Sequence, residues 1–218
     1  MNLLSAQLVF NLEALIFVSI ILMHIAKKNS SVVWLYVVQS AAVVFLLVAS
    51  SVTELSLLSV LALFSTIIVK LFVAPSFFFN LIRRHKLVFS ATTYLNTPIT
   101  LFGIASVVAF TRAFLSEPLT LVATIDSTLL VISVAAIFCA LFLIVNRRGA
   151  LSQMVGILAA ENAIVAFALF AGLEQSPSLQ LGIIFDLLIW IVIASVFASM
   201  IYRQFGSLDV SEMTHLTE

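Results

Sequence analysis

The sequence contains few of the residues that build a water-facing surface. Only 9% of its 218 residues are charged, whereas charged residues make up about 25% of a typical soluble domain. Glycine occurs six times and proline four times, so few residues that favour turns interrupt the chain. The composition therefore excludes an ordinary soluble domain.

Cysteine is nearly absent, and neither sign of charge is in excess. The single cysteine, Cys139, has no partner in the chain, which excludes an internal disulfide and any cysteine-based cluster or zinc site. The formal net charge is zero, and no stretch rich in Lys and Arg with interleaved aromatic residues indicates nucleic-acid binding. We therefore expect no nucleic-acid partner and no cofactor in this chain, so that any redox metal belongs to another subunit.

Motifs of soluble enzymes are missing as well. The chain has no glycine-rich loop that could cradle a phosphate, no metal-ligand spacing among its three histidines, and no Ser/His/Asp grouping with positional support. The isolated chain is therefore expected to carry out no bond chemistry by itself.

Long apolar stretches fill the space between short polar breaks. Hydrophobic residues make up 63% of the chain, and phenylalanine alone occurs 19 times. A transmembrane helix needs about 20 mostly apolar residues, and the chain supplies seven such stretches, roughly at 5–26, 32–52, 55–81, 97–115, 119–145, 150–173 and 178–202. The sequence predicts an all-α, polytopic integral membrane protein that spans the lipid bilayer, with a polar tail at 204–218.

Basic residues mark every second boundary between these spans. They are Lys27, Lys28, Arg83, Arg84, Lys86, Arg147, Arg148 and Arg203. The other boundaries carry Glu54, Arg112 with Glu117, and Glu174. Under the positive-inside rule, the N-terminus is predicted outside and the C-terminus in the cytoplasm, which requires an odd number of spans.

Three ionisable residues inside the spans are the strongest functional candidates. Lys70 precedes Arg83 by as many residues as Glu161 follows Arg148, so each is about 20 Å from its basic boundary. Asp186 lies further from Arg203, about 25 Å from the same surface. A charge at this depth costs roughly 2.5–3.5 kcal/mol, so all three are expected to face one another, a neighbouring subunit or water.

A buried carboxylate beside an ammonium group suits either of two roles. Its surroundings can shift its proton affinity so that it takes up and releases a proton, as in a proton relay. Alternatively, the two groups form a static ion pair that only holds two helices together. Asn162, next to Glu161, supplies a hydrogen-bonding partner, and Gly156 on the same helix allows backbone or water to approach closely. Pro75 is expected to bend or break the third span just beyond Lys70.

Asn162 and two further in-span residues are weaker candidates. Glu13 precedes Lys27 by nearly as many residues as Lys70 precedes Arg83 and so lies at a similar depth. As a lone carboxylate, it either carries a proton or faces a partner subunit. Gln39, with Ser40 beside it, is expected to hydrogen-bond across helices, as such residues commonly do in membranes.

Several of these residues stand in an order that resembles the hydrogenase-4 component E family. The resemblance runs over about residues 32–218 and rests on Tyr36-Val37-Val38-Gln39-Ser40, Glu54, Lys70 with Pro75, Gly156 with Glu161-Asn162, Asp186, Gly206-Ser207-Leu208-Asp209-Val210 and Leu216. That family comprises membrane-arm subunits of formate-hydrogenlyase-type and related hydrogenase complexes. Its C-terminal half is similar to subunit K of respiratory complex I.

The resemblance implies a subunit of a prokaryotic inner-membrane complex without a redox centre of its own. Its partners would be antiporter-like membrane subunits and a hydrogenase or quinone-proximal module, and nickel-iron and iron-sulfur centres would lie in those partners. By position, the resemblance implies Glu161 as the proton-relay carboxylate, Lys70 as its basic partner and Asp186 as a second acidic element. Glu13 has no counterpart in the family pattern.

Two further functions remain open beside a proton-translocating subunit. The chain could be an anchoring and assembly subunit whose buried charges only lock helices against neighbours, or a stand-alone ion transporter. A carboxylate serves protons and sodium ions alike, so the sequence leaves the ion open.

Overall fold

Seven helices of membrane-spanning length make up most of the structure. The computed structural model describes residues 5–51, 56–85, 93–121, 123, 126–173, 176–206 and 208. In chain order the helices are Ala6–Ile25 (α1), Asn29–Ser51 (α2), Leu57–Arg84 (α3), Thr97–Thr120 (α4), Ser127–Asn146 (α5), Ala150–Phe170 (α6) and Pro177–Phe205 (α7). The predicted all-α class and the seven apolar helices long enough to cross a membrane are confirmed.

The boundary between the fourth and fifth spans differs from the sequence prediction. The span predicted at 97–115 continues as helix to Thr120, and the span predicted from 119 begins only at Ser127. A π-helical turn at Thr111–Leu115 already shifts the backbone hydrogen bonds ahead of Pro118, so this proline does not end the helix. Glu54, Lys86, Glu174 and most of the predicted tail at 204–218 lie outside the described residues.

Polar residues fix where several helices begin. Five of them accept a hydrogen bond from a backbone N–H in the first turn of the following helix: Ser5, Ser56, Asn96, Asp126 and Ser176. Such caps satisfy N–H groups that have no partner within the helix. At the other end of α7, Gly206 takes the left-handed conformation with φ 68°, which glycine adopts without steric cost.

Two helical hairpins form the centre of the bundle. α1 and α2 are joined by residues 26–28, and α5 and α6 are joined by residues 147–149. α1 packs on α5 and α2 packs on α6, while α3 lies against α2 and α7, and α4 lies against α5. α6 is the most buried of the seven helices and α4 the least. α6 therefore carries its polar residues into the interior.

Gly156 allows α6 to approach α5 closely. A Cβ atom at this position would lie 2.9 Å from Cγ1 of Ile144 on α5, which is closer than van der Waals contact permits. The close neighbour of Gly156 is thus an apolar side chain of the adjacent helix, and the glycine serves helix packing.

Gly156→Ala is expected to lower the free energy of unfolding by about 1–3 kcal/mol, because overpacking forces the stiff Ile144 side chain or the helices apart. Gly182→Ala on α7 is the matched control, since no atom lies within 4 Å of the position that its Cβ would take and alanine is the better helix former by about 1 kcal/mol. Denaturant titration of both variants in detergent micelles measures the difference. An equal or greater stability of Gly156→Ala would contradict this account of the α5–α6 contact.

Candidate functional site

Lys70 and Glu161 form an ion pair between α3 and α6. The Lys70 Nζ atom lies 2.5 Å from Glu161 Oε2 and also donates to Asn162 Oδ1 over 2.7 Å. The lysine side chain is 1% exposed and the glutamate side chain 24% exposed. The two residues that the sequence predicts at matched depth are therefore in direct contact, with Lys70 fully enclosed and the Glu161 side chain partly exposed.

A set of hydrogen bonds to α2 holds the amide of Asn162 in place. Its Nδ2 atom donates to Ser40 Oγ over 2.9 Å and to Gln39 Oε1 over 3.4 Å. Gln39 in turn donates to the backbone oxygen of Ala159 over 3.2 Å. Ser40, Gln39 and Asn162 are all buried. The expected hydrogen bonding of Gln39 and Ser40 across helices is confirmed, and it directs Asn162 Oδ1 towards Lys70.

The backbone of α3 changes its winding at Lys70. Residues Val69–Val73 form a π-helical turn, in which the Ala74 N–H donates to the Val69 oxygen five residues earlier. Pro75 follows directly and lacks the N–H that would continue the ordinary ladder. The helix nevertheless continues to Arg84, so the proline does not break it. The local effect is a π-turn that includes Lys70, a feature frequent at functional sites in helices.

Glu161 borders a cleft between α6 and α7 that opens at the side of the bundle. The cleft has a volume of about 560 Å³, and apolar side chains form most of its wall. Asp186 lines the same cleft from α7. Its side chain is exposed, and among the described residues it makes no hydrogen bond or ion pair. Asp186 thus shares the cleft with Glu161 but does not take part in the pair with Lys70.

A second, much smaller cavity also borders Glu161. Its volume is about 10 Å³, and its polar lining residues are Thr66, Lys70, Glu161 and Gln180. This is close to the volume of about 10–15 Å³ that one water molecule needs. Glu161 lines both spaces; its Oε2 atom contacts Lys70, and its Oε1 atom is buried without a hydrogen-bond partner among the described residues.

Glu13 lies elsewhere in the bundle, between α1 and α5. Its side chain is fully buried, and its Oε1 atom lies 2.8 Å from Ser133 Oγ. Because the chain itself encloses this side chain completely, the alternative that Glu13 faces a partner subunit is wrong. Of the sequence candidates, Gln39, Lys70, Glu161 and Asn162 are connected by these contacts, whereas Glu13 and Asp186 stand apart.

Arg147 is a structural residue that the sequence marked only as a boundary charge. Its guanidinium enters the bundle and donates to the backbone oxygens of Met23, His24 and Ala26, the last two over 3.0 and 2.9 Å. Burial lowers the pKa of Arg147 to about 10, so the group stays charged at neutral pH. The cation satisfies carbonyl oxygens at the end of α1 that have no partner within the helix.

Ser133 was also missed, although a signal for it exists. It precedes Arg147 by the same number of residues as Glu13 precedes Lys27. If the distance from the basic boundary is counted for hydroxyl side chains as well as ionisable ones, Ser133 and Glu13 are predicted at the same level. No comparable signal separates Arg147 from its neighbour Arg148.

Metal-binding groups are absent from the part of the chain that the structure describes: no three His, Cys, Asp or Glu side chains come together there as a metal site would require. In comparisons with known proteins, no protein-family model, no curated protein and no solved structure matches this chain.

Proposed function

We propose that the chain is a multi-pass membrane protein in which the Lys70–Glu161 pair takes part in proton transfer. Seven apolar helices of spanning length support the membrane location. So do large apolar side chains on the outside of the bundle, which an aqueous protein would not present so widely. Among them are Trp34, Phe64, Phe72, Phe102, Phe114 and Phe197. The distribution of basic residues supports an orientation with the N-terminus outside and the C-terminus in the cytoplasm.

The observation that carries the proposal is the position of Glu161 between the lateral cleft and Lys70. A proton that reaches Glu161 from the cleft neutralises the carboxylate and releases Lys70, which keeps its hydrogen bond to Asn162. Loss of that proton restores the ion pair. A carboxylate and an ammonium group in contact thus alternate between two protonation states without a large movement of the helices.

Within a cell, we propose a role as membrane-arm subunit of a hydrogenase complex related to respiratory complex I, in a prokaryotic inner membrane. The proposal rests on the resemblance of the residue pattern to hydrogenase-4 component E. Antiporter-like subunits and a hydrogenase or quinone-proximal module are the proposed partners, and they would hold the nickel-iron and iron-sulfur centres. The lateral cleft and exposed Asp186 offer a polar position at which such a neighbour can continue the proton pathway.

Glu161→Gln tests this function. The amide keeps the size of the side chain but cannot exchange a proton, so proton translocation is expected to fall about 10²-fold or more, the usual contribution of a positioned acid or base. The complex is isolated through a tag on this chain, reconstituted in liposomes, and assayed for proton uptake with a pH-sensitive dye while redox turnover is recorded in parallel.

Glu117→Gln is the matched control, because it makes the same change at an exposed carboxylate of α4. It is expected to leave translocation unchanged. Full translocation together with full redox activity in Glu161→Gln would exclude a relay role for this residue. The same preparation shows whether a nickel-containing hydrogenase module, a quinone-reducing module or neither accompanies the chain.

A structural role is the second candidate function, and one observation favours it. The Lys70 ammonium contacts α6, and through Asn162 this contact extends to α2, so a single side chain ties three helices together. In an anchoring subunit, loss of Lys70 would impair assembly of the complex. Intact assembly with lost coupling would count against this function. A stand-alone transporter, the third candidate, requires transport by the purified chain in liposomes without partners.

A further inference from the structure

Glu13 is a fully buried carboxyl group with no basic partner among the described residues. The ion pair that the described chain contains joins Lys70 to Glu161, and the side-chain contact of Glu13 is with the neutral hydroxyl of Ser133. Its second oxygen, Oε2, has no hydrogen-bond partner within the described part of the chain. An ionised carboxylate in these surroundings would bear a charge that nothing compensates, at a cost that ordinarily neutralises the group.

The two oxygen atoms near the Ser133 hydroxyl indicate which atom of Glu13 would carry a proton. The Ser133 Oγ atom lies 2.8 Å from Glu13 Oε1 and 2.9 Å from the backbone oxygen of Leu129. A hydroxyl has one hydrogen and two lone pairs, so it cannot donate to both oxygens at once. If Glu13 Oε1 carries a proton and donates it to Ser133, the Ser133 hydrogen is free for Leu129. Both contacts are then hydrogen bonds with a defined direction.

Glu13 lies in the same layer of the bundle as the Lys70 site. In the first hairpin, Glu13 and Ser40 stand at nearly equal separations before and after the turn at Lys27. In the second hairpin, Ser133 and Asn162 stand likewise before and after the turn at Arg148. From the helical rise, all four positions are about 20 Å from the two hairpin turns. Polar groups of both hairpins therefore occupy one level.

We propose that Glu13 is a second proton site, which holds a proton at neutral pH through the hydrogen-bonded chain from Glu13 to Ser133 and Leu129. Glu161 differs from it in lying against an ammonium group, that of Lys70. Environments that separate two carboxyl groups in this way are typical of a donor and an acceptor in one protein. The bound proton is independent of the relay, whereas use of Glu13 as a proton donor to the layer rests on the proposed function.

Infrared spectroscopy of the full-length protein in liposomes at neutral pH tests the proposal. Wild-type protein is expected to show a carbonyl-stretch band of a protonated carboxylic acid that shifts in D2O and disappears in Glu13→Gln. Glu161→Gln should retain this band, even if that variant shows that the Lys70–Glu161 pair has no part in translocation. The proton site and the proposed function therefore fail separately.

Ser133→Ala is the second variant and covers the case in which Glu13→Gln does not fold. It keeps the carboxyl group and removes only the acceptor of its proton, so the band should persist at a shifted frequency. Ser106→Ala, which removes an exposed hydroxyl bonded to its own helix, should leave the frequency unchanged. A spectrum in which neither Glu13→Gln nor Ser133→Ala alters any band of a protonated acid would overturn the proposal.

Discussion

Lys70→Met is expected to lower the free energy of unfolding by about 3–5 kcal/mol, the usual cost of removing one partner from a buried ion pair. Methionine fills much of the space of the lysine stem but leaves Glu161 Oε2 and Asn162 Oδ1 without their donor. Denaturant titration of the purified protein in detergent measures the loss. Lys27→Met, at an exposed lysine of the first hairpin turn, should change the stability by less than about 0.5 kcal/mol.

The double variant Lys70→Met/Glu161→Leu separates charge from packing. Replacement of a whole buried pair by apolar residues is often neutral or stabilising by about 1–4 kcal/mol, so the double variant should recover most of the stability lost by Lys70→Met. If it is no more stable than the single variant, the uncompensated carboxylate is not the source of the loss. A double variant that folds, assembles and still translocates protons would favour the anchoring function.

Arg147→Met is expected to lower the free energy of unfolding by about 3 kcal/mol. The substitution removes the donor for three carbonyl oxygens at the end of α1, and a hydrogen bond to a charged group contributes about 1.5–3 kcal/mol to stability. All three of these contacts are made by the single nitrogen Nη2, so Arg147→Lys, whose ammonium group has three hydrogens on one nitrogen, should recover part of this loss. The measurement is again unfolding in detergent, together with the rate of proteolysis within residues 6–25.

Arg148→Met provides the neighbouring control. The Arg148 guanidinium lies 4.7 Å from the centre of the Tyr94 ring, a partly exposed contact of about 0.5–1 kcal/mol. The two adjacent arginines are therefore expected to differ by about 2 kcal/mol or more. Equal effects of the two substitutions would show that the carbonyl contacts of Arg147 contribute no more than an ordinary boundary charge.

The depth of each polar residue follows from the sequence alone. Every residue of a helix advances the chain by the same fixed rise, so a count from the basic turns puts Lys70 and Glu161 at one level without reference to any contact. The same count includes Glu13. Apolar runs of about 20 residues likewise predicted the seven helices that are long and apolar enough to cross a membrane, because the length that crosses a bilayer depends on no tertiary contact.

The direction in which each side chain points required the tertiary structure. Residues on every side of a helix can lie at the same depth, whereas the neighbour that each one faces depends on how the helices pack. The π-turn at Val69–Val73 inserts one residue and so rotates the residues that follow it about the helix axis by roughly 100°. Because the sequence gives depth and not direction, it grouped Asp186 with Lys70 and Glu161, whereas in the structure Asp186 lines the lateral cleft and does not contact Lys70. It also left Glu13 between two alternatives, of which its burial excludes the one in which it faces a partner subunit.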